Sequence, residues 1–168
     1  ETAIISEIIN SKKAGHCITQ NVDNLHQKSG LNDASVTELH GNATFAVCLD
    51  CKKRFELSFI HKEFKSTNRP PKCDSCNGWI KTATISFGQP MPEDKMIIAH
   101  EETLKADVFI VAGSSLSVFP AANFPLIAKE NDAKLLIVNN EETQFDHFAD
   151  VLIHDDISKT FSNLKITH

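Results

Sequence analysis

Two cysteine pairs restrict this chain more than any other feature. Two residues separate Cys48 from Cys51 and two separate Cys73 from Cys76, with twenty-one residues between the pairs. Each CxxC knuckle offers two thiolates from one short segment, and two knuckles complete a single tetrahedral zinc site. The gap slightly exceeds the usual zinc-ribbon range, but intervening strands and loops set that length. Lys52, Lys53 and Lys72 beside the ligands offset the charge of four thiolates. Two disulfides would require a secreted context, which nothing in the chain indicates, and a redox site needs only one CxxC pair. Four thiolates leave no open coordination position, so the expected zinc is structural rather than catalytic. The fifth cysteine, Cys17, falls inside a predicted strand and reads as a small buried hydrophobe.

Around this module the pattern alternates helices and strands. Ala3, Ile4, Ile5, Ile8 and Ile9 form an apolar stripe at helical spacing. Gly15 stops that helix, and residues 16–19 read as a short strand. Residues 84–87, TISF, are predicted as a strand, and a helix follows Pro92 through Lys105. The continuous apolar run Val108 to Ala112 is the pattern of a parallel strand buried on both faces. Pro120 suits the first turn of a further helix, and Pro125 kinks or delimits it. Residues 134–139 and 150–154 are two more predicted buried strands, and a last helix covers Ile157 to Leu164. Strands separated by helices predict an α/β fold with a doubly wound, Rossmann-like parallel sheet. Residues 1–40 and 80–168 would build it, with residues 41–79 inserted as the zinc-binding module.

The net charge of -5 argues against a nucleic-acid or acidic-membrane surface as the main partner. No run approaches the length of a transmembrane helix, and the acidic, amphipathic start is not a signal peptide. Reduced-cysteine usage together with these absences gives a cytoplasmic expectation.

The candidate chemistry gathers at strand ends. In open α/β sheets ligands bind beyond the carboxyl ends of the strands. Gln20, Asn21 and Asp23 follow the first strand, Gly113, Ser114 and Ser115 follow the run ending at Ala112, and Asn139 and Asn140 follow Val138. A Gly-Ser-Ser turn lets a phosphate or ribose approach the backbone, and Asn139 can grip ribose hydroxyls. Each piece alone is compatible with an ordinary turn or loop; their convergence points to a nucleotide. His40, in ELHG, lies between the polar strand end and the zinc module. A neutral imidazole there is a candidate general base.

Taken in order, TQNVDNLH, ELHG, the paired knuckles, SFG, GSSLSVFPA and the Val-Asn-Asn-x-x-Thr stretch resemble the sirtuins, NAD-dependent protein-lysine deacylases. The resemblance runs from Gly15 to about Leu164. It implies that Gln20, Asn21 and Asp23 line the pocket for nicotinamide and its ribose, with Asp23 on the carboxamide and Asn21 ordering the ribose or a water. His40 would be the general base. Gly113, Ser114 and Ser115 would hold phosphates and ribose, Asn139, Asn140 and Glu141 the adenosine ribose, and Ile157 the adenine. An acylated-lysine peptide would add as a strand between Phe87-Gly88-Gln89 and Ser117-Val118-Phe119. The implied products are nicotinamide, free lysine and O-acyl-ADP-ribose, with NAD as cosubstrate and zinc outside the chemistry.

Two departures accompany the resemblance. Lys81-Thr82 and Phe87-Gly88-Gln89 stand where many sirtuins carry a basic-Pro pair and Phe-Gly-Glu, which marks a subgroup. The family's Gly-Ala-Gly strand and its Pro-Asp-Phe-Arg loop are not in this sequence. The expectation is therefore a sheet lacking its first strand and an N-terminally incomplete chain. The alternatives are protein ADP-ribosyl transfer or NAD hydrolysis on the same fold, and a non-catalytic zinc-ribbon binding fragment.

Overall fold

The computed structural model describes residues 2–11 and 15–162. In chain order these form α1 (Thr2–Asn10), β1 (Cys17–Thr19), α2 (Leu25–Lys28), β2 (Val36–Glu38), β3 (Gly41–Cys48), β4 (Arg54–Glu56), α3 (Leu57–Thr67), β5 (Ile80–Thr84), α4 (Glu93–Leu104), β6 (Val108–Ala112), α5 (Phe124–Glu130), β7 (Lys134–Val138), β8 (Val151–Ile153) and α6 (Ile157–Ser162). The chain divides into two compact units. One comprises Glu1–Ile18, His26–Thr37 and Pro92–His168, and the other Thr19–Leu25 and Glu38–Met91.

The first unit carries a parallel sheet in the order β6-β7-β8. Its register aligns Ala112 with Val138 and Val138 with Ile153, so all three strands end level. Val111, Leu116, Ala122, Leu135, Ile137 and Phe145 form its core. The helix expected after Pro120 is split: a 3-10 turn covers Ala121–Asn123, and Pro125 sits in the first turn of α5, where its missing N–H is no loss. A smaller cluster of Ile9, Leu31 and Val36 anchors α1. Within α1 the inward residues are Ser6 and Ile9, whereas Ala3 of the predicted stripe is exposed. The last helix ends at Ser162, and the part of its prediction beyond that lies outside the described residues.

Two of the predicted buried strands are less covered than their sequences imply. Val108 is 57% and Ile110 41% exposed in β6, and Val151 is 52% and Leu152 41% exposed in β8. Both are edge strands among the described residues, so one side of each apolar run has no neighbour. β1 pairs with β2, not with that sheet.

The second unit is an antiparallel sheet in the order β4-β3-β5 with α3 packed against it. Ala46, Cys48, Phe55, Cys73 and Ile80 form its core. β3 pairs with β5 across a register shift between Gly41 and Ala46. This sheet runs past residue 79, and the unit extends to Met91. The strand predicted over TISF lies four residues earlier, at Ile80–Thr84. Its Lys-Thr-Ala-Thr stretch carries little apolar signal because only Ile80 is buried. Residues 86–89 instead make a turn, closed by Gln89 N–H to the Ser86 carbonyl at 3.0 Å, with Gly88 at φ 83°.

Candidate functional site

The four knuckle sulfurs all lie within 4.8 Å of one another. Cys48 Sγ is 3.4 Å from Cys76 Sγ, and Cys51 Sγ is 3.6 Å from Cys73 Sγ. Disulfide sulfurs sit about 2.05 Å apart, so these are separate thiols. Four sulfurs bound tetrahedrally at about 2.3 Å from a zinc would be about 3.8 Å apart, which is the scale observed. The two knuckles share one construction. Lys52 N–H donates to the Cys48 carbonyl at 3.1 Å and Asn77 N–H to the Cys73 carbonyl at 2.9 Å, and both donors have positive φ, 62° and 61°. The Cys51 backbone amide lowers the pKa of the Cys48 thiol, while the crowded neighbouring sulfurs raise that of Cys76. The neighbouring lysines serve differently: Lys53 pairs with Asp74 at 2.7 Å, and Lys72 stacks on Trp79 at 3.4 Å from the ring centre. Cys17 is not one of the four, and burial pushes its thiol up to about 11.

The second unit also holds the polar strand end. Buried Leu39 donates its N–H to the Thr19 carbonyl at 2.9 Å, which lays His40 beside residues 19–21. His40 Nδ1 is 3.1 Å from the Gln20 carbonyl oxygen. That oxygen can only accept, so Nδ1 carries the hydrogen and the neutral ring leaves Nε2 with its lone pair free. Ile85 N–H to the His40 carbonyl, 2.8 Å, fixes the backbone from the other side. Gly41 follows at φ 76°, and a Cβ there would meet the Ala83 carbonyl oxygen at 2.0 Å. No other residue fits, so the strand can approach this closely only behind His40.

Asn21 and Asp23 are exposed, and Gln20 is half-buried. Asn21 N–H donates to Thr19 Oγ1 at 3.1 Å, while Asp23 Oδ1 accepts the Leu25 N–H at 2.9 Å. The structure adds one residue that the sequence reading passed over. Asn42 is 5% exposed and ties the segment together. Its amide donates to Asn24 Oδ1 at 3.3 Å and to the Glu38 carboxylate at 2.9 and 3.1 Å, and its Oδ1 accepts from Thr44 N–H at 2.8 Å. Asn24 is held at φ 63° directly after Asp23. Its place in His-Gly-Asn was the signal available in the sequence.

The first unit holds the second group of candidates, on the carboxyl edge of the parallel sheet. Because Ala112, Val138 and Ile153 are in register, the next residues, Gly113, Asn139 and His154, leave the sheet side by side. Gly113 has φ 64°, and a Cβ on it would lie 2.5 Å from Ile157 Cδ1. Ile157 at the start of α6 therefore closes directly over the glycine. Ser114 Oγ accepts the Leu116 N–H at 3.3 Å, and the hydroxyls of Ser115 and Ser117 are 2.7 Å apart. Asn139 Nδ2 donates to the Glu141 carbonyl at 2.8 Å, and Asn140 and Glu141 are exposed beside it. A bare glycine backbone, hydroxyls and an amide suit phosphate oxygens and ribose hydroxyls.

The predicted residues thus form two sets. Gln20, Asn21, Asp23, His40, Phe87 and Gly88 belong to one unit; Gly113, Ser114, Ser115, Ser117, Val118, Phe119, Asn139, Asn140, Glu141 and Ile157 belong to the other. Phe87 is fully exposed and Phe119 is 55% exposed.

Comparison with known proteins identifies the family. The sequence profile of the Sir2 family matches residues 2–120. An NAD-dependent protein deacetylase of Rhodopseudomonas palustris is 48% identical over 156 residues, covering 93% of this chain and 62% of the relative. NAD-dependent protein deacetylase 1 of Bradyrhizobium diazoefficiens is 44% identical over the same length, covering 93% and 61%. A solved Sir2 structure with p53 peptide and NAD+ superposes with a TM-score of 0.89 at 35% identity, covering 96% of this chain and 66% of that one. Sir2Tm bound to a propionylated peptide gives the same TM-score and identity, with 96% and 67% covered. The chain belongs to the Sir2 family, and its α/β body is Rossmann-like with a four-cysteine insertion. It spans about three fifths of the length of these two curated relatives. No helix among the described residues is long and apolar enough to cross a membrane.

Proposed function

We propose that the protein is an NAD-dependent protein-lysine deacylase, releasing nicotinamide, free lysine and O-acyl-ADP-ribose. The observation that carries this is the His40–Gln20 contact, which leaves Nε2 as a proton acceptor beside a strand end of amide and carboxylate side chains. The names of the relatives support the reaction class, and the peptide- and NAD-bound Sir2 structures support the substrate classes. NAD, when bound, supplies an electrophilic ribose carbon with nicotinamide as its leaving group.

The chain's own residues then have separable roles. His40 Nε2 takes the proton from a ribose hydroxyl. Asn21 orients the ribose or a water, Gln20 lines the same pocket, and Asp23 accepts from the nicotinamide carboxamide. Gly113, Ser114 and Ser115 hold phosphate and ribose oxygens by preorganised donors. Asn139, Asn140 and Glu141 hold the adenosine ribose, and Ile157 packs on the adenine. Phe87, Gly88, Ser117, Val118 and Phe119 contact the acylated peptide. Cys48, Cys51, Cys73 and Cys76 hold a zinc that only builds the fold. Residues 1–40 and 80–168 act as the nucleotide-binding domain and 41–79 as the zinc module. Separate thiols in place of disulfides support a cytoplasmic location.

The test is mass spectrometry of an acetyl-lysine peptide incubated with the full, zinc-loaded gene product, with and without NAD. NAD-dependent loss of acetyl with formation of O-acetyl-ADP-ribose is expected. Nicotinamide release without deacylation of any acyl peptide would replace this reading with ADP-ribosyl transfer or NAD hydrolysis.

A further inference from the structure

Of the three residues that leave the parallel sheet side by side, Gly113 and Asn139 belong to the proposed nucleotide site, and His154 has no role in it so far. Its ring spans two partners. Nδ1 lies 3.1 Å from the Asn139 carbonyl oxygen, and Nε2 lies 3.1 Å from Asp146 Oδ2. A carbonyl oxygen only accepts, and so does an ionised carboxylate. Burial opposes ionisation of Asp146, but the Thr143 hydroxyl and amide, together with His154, hold its carboxyl below the usual range. Both ring nitrogens therefore face acceptors. A neutral imidazole has one N–H and can serve one of them; an imidazolium has two and serves both.

The two partners sit at opposite ends of one loop. Asn139 opens it, and Asp146 closes it from a 3-10 turn, accepting the Thr143 N–H at 3.1 Å and the Thr143 hydroxyl. Asn140 and Glu141 lie between. The other charged or titratable groups on these segments are Glu141 and Glu142 in the loop, His147 beside Asp146, and Asp155 and Asp156 after His154, with Lys159 holding the Asp155 carboxylate at 2.6 Å.

We propose that His154 is the positioning residue of the 139–146 loop, and that its second proton fastens Asn139 to Asp146 so that the loop holds an adenosine ribose more tightly. The ribose half of this rests on the nucleotide reading of the sheet edge. With one proton on the ring only one of the two bonds remains, and the loop loosens.

Two measurements on the full protein test it. The first is amide hydrogen exchange of residues 140–146 without ligand, as protection factors at about pH 5.5 and about pH 8. The second is calorimetric titration with ADP-ribose at the same pH values. Losing one hydrogen bond should lower protection, and raise the ADP-ribose Kd, by about three- to tenfold at the higher pH. His154→Gln has no titrating ring and should sit at the loose value at both. Asp146→Asn lets a neutral ring accept from the new amide, so its pH dependence should vanish while affinity stays near the tight value. Protection that is flat with pH in the wild type, or a pH dependence that survives in His154→Gln, overturns the proposal. Loop protection that responds while ADP-ribose fails to bind keeps the staple and removes its nucleotide role. Binding with a Kd flat across pH removes the link between the second proton and affinity.

Discussion

His40 Nδ1 and the carbonyl oxygen of Gln20 are 3.1 Å apart, and this one contact decides which nitrogen of the ring is available for chemistry. A side chain 20 positions later in sequence is oriented by the backbone of the strand end it serves. Replacing His40 by Ala should lower NAD-dependent deacetylation by about 10²- to 10⁴-fold, the usual contribution of a general base. Zinc content should not change, since the knuckles do not use this ring. Initial rates with an acetyl-lysine peptide, alongside metal analysis, check both; unchanged rates would remove His40 from the reaction.

The zinc module predicts a different pattern of loss. Cys48 and Cys73 are buried members of the second unit's core, whereas Cys51 and Cys76 are exposed. Plasma mass spectrometry should find one zinc per chain, and Cys51→Ser or Cys73→Ser should each lose most of it. Cys73→Ser should also melt at the lower temperature, because it removes a ligand and places a hydroxyl in an apolar cluster. Equal melting temperatures would show that the metal site and the core are not coupled.

Gly113→Ala tests the sheet edge. The left-handed φ of 64° costs a residue with a side chain about 1–3 kcal/mol. The new methyl would also meet Ile157 Cδ1 at 2.5 Å. Ile157→Val removes that carbon, so the double variant should recover the steric part of the loss and keep the backbone part. Urea unfolding midpoints of the single and double variants separate the two; full recovery would mean the backbone carries no strain.

Asp150 contributes stability that acid removes. The Lys129 ammonium, the Leu135 amide at 2.8 Å and the Lys134 charge hold its carboxyl down to about 2 from an ordinary 3.8. The sign follows from a depressed pKa: its contribution is complete above about pH 4 and disappears as pH falls toward 2. Asp150→Asn should therefore lose stability mainly near neutrality, and its deficit relative to wild type should shrink below about pH 4. Denaturation midpoints of the two proteins at pH 6 and pH 2.5 measure that difference, and a constant deficit would show that ionisation is not what Asp150 contributes.

How much of this was legible in the sequence depends on what each signal reports. The knuckle spacing named four ligands that do converge, because a metal site is defined by residue type and separation. Residues at the ends of β6 and β7 were placed together, because strand register puts successive carboxyl ends on one edge. Apolar content was a poorer guide to burial. Val108 and Ile110 read as interior residues, yet whether a strand lies at an edge depends on its neighbours and not on its own composition. TISF misled for the opposite reason: β5 is half-buried and mostly threonine and alanine, and the more apolar residues after it form a turn. His154 and Asn42 escaped because their partners, Asp146 and Glu38, are polar groups whose approach no periodicity encodes.

The way the two units share the chain has a consequence for biogenesis. The second unit is complete once Met91 has been added, whereas the first needs Pro92 onward as well as residues before Ile18 and from His26 to Thr37. On a ribosome adding about 5–20 residues per second, the four thiols can meet a metal before any strand of the parallel sheet exists. α1 and the 26–37 segment, which pack on each other through Ile9, Leu31 and Val36, are made before the strands ending at Ala112, Val138 and Ile153. Within this sequence the four thiols are thus made before the three strands whose ends lead into Gly113, Asn139 and His154.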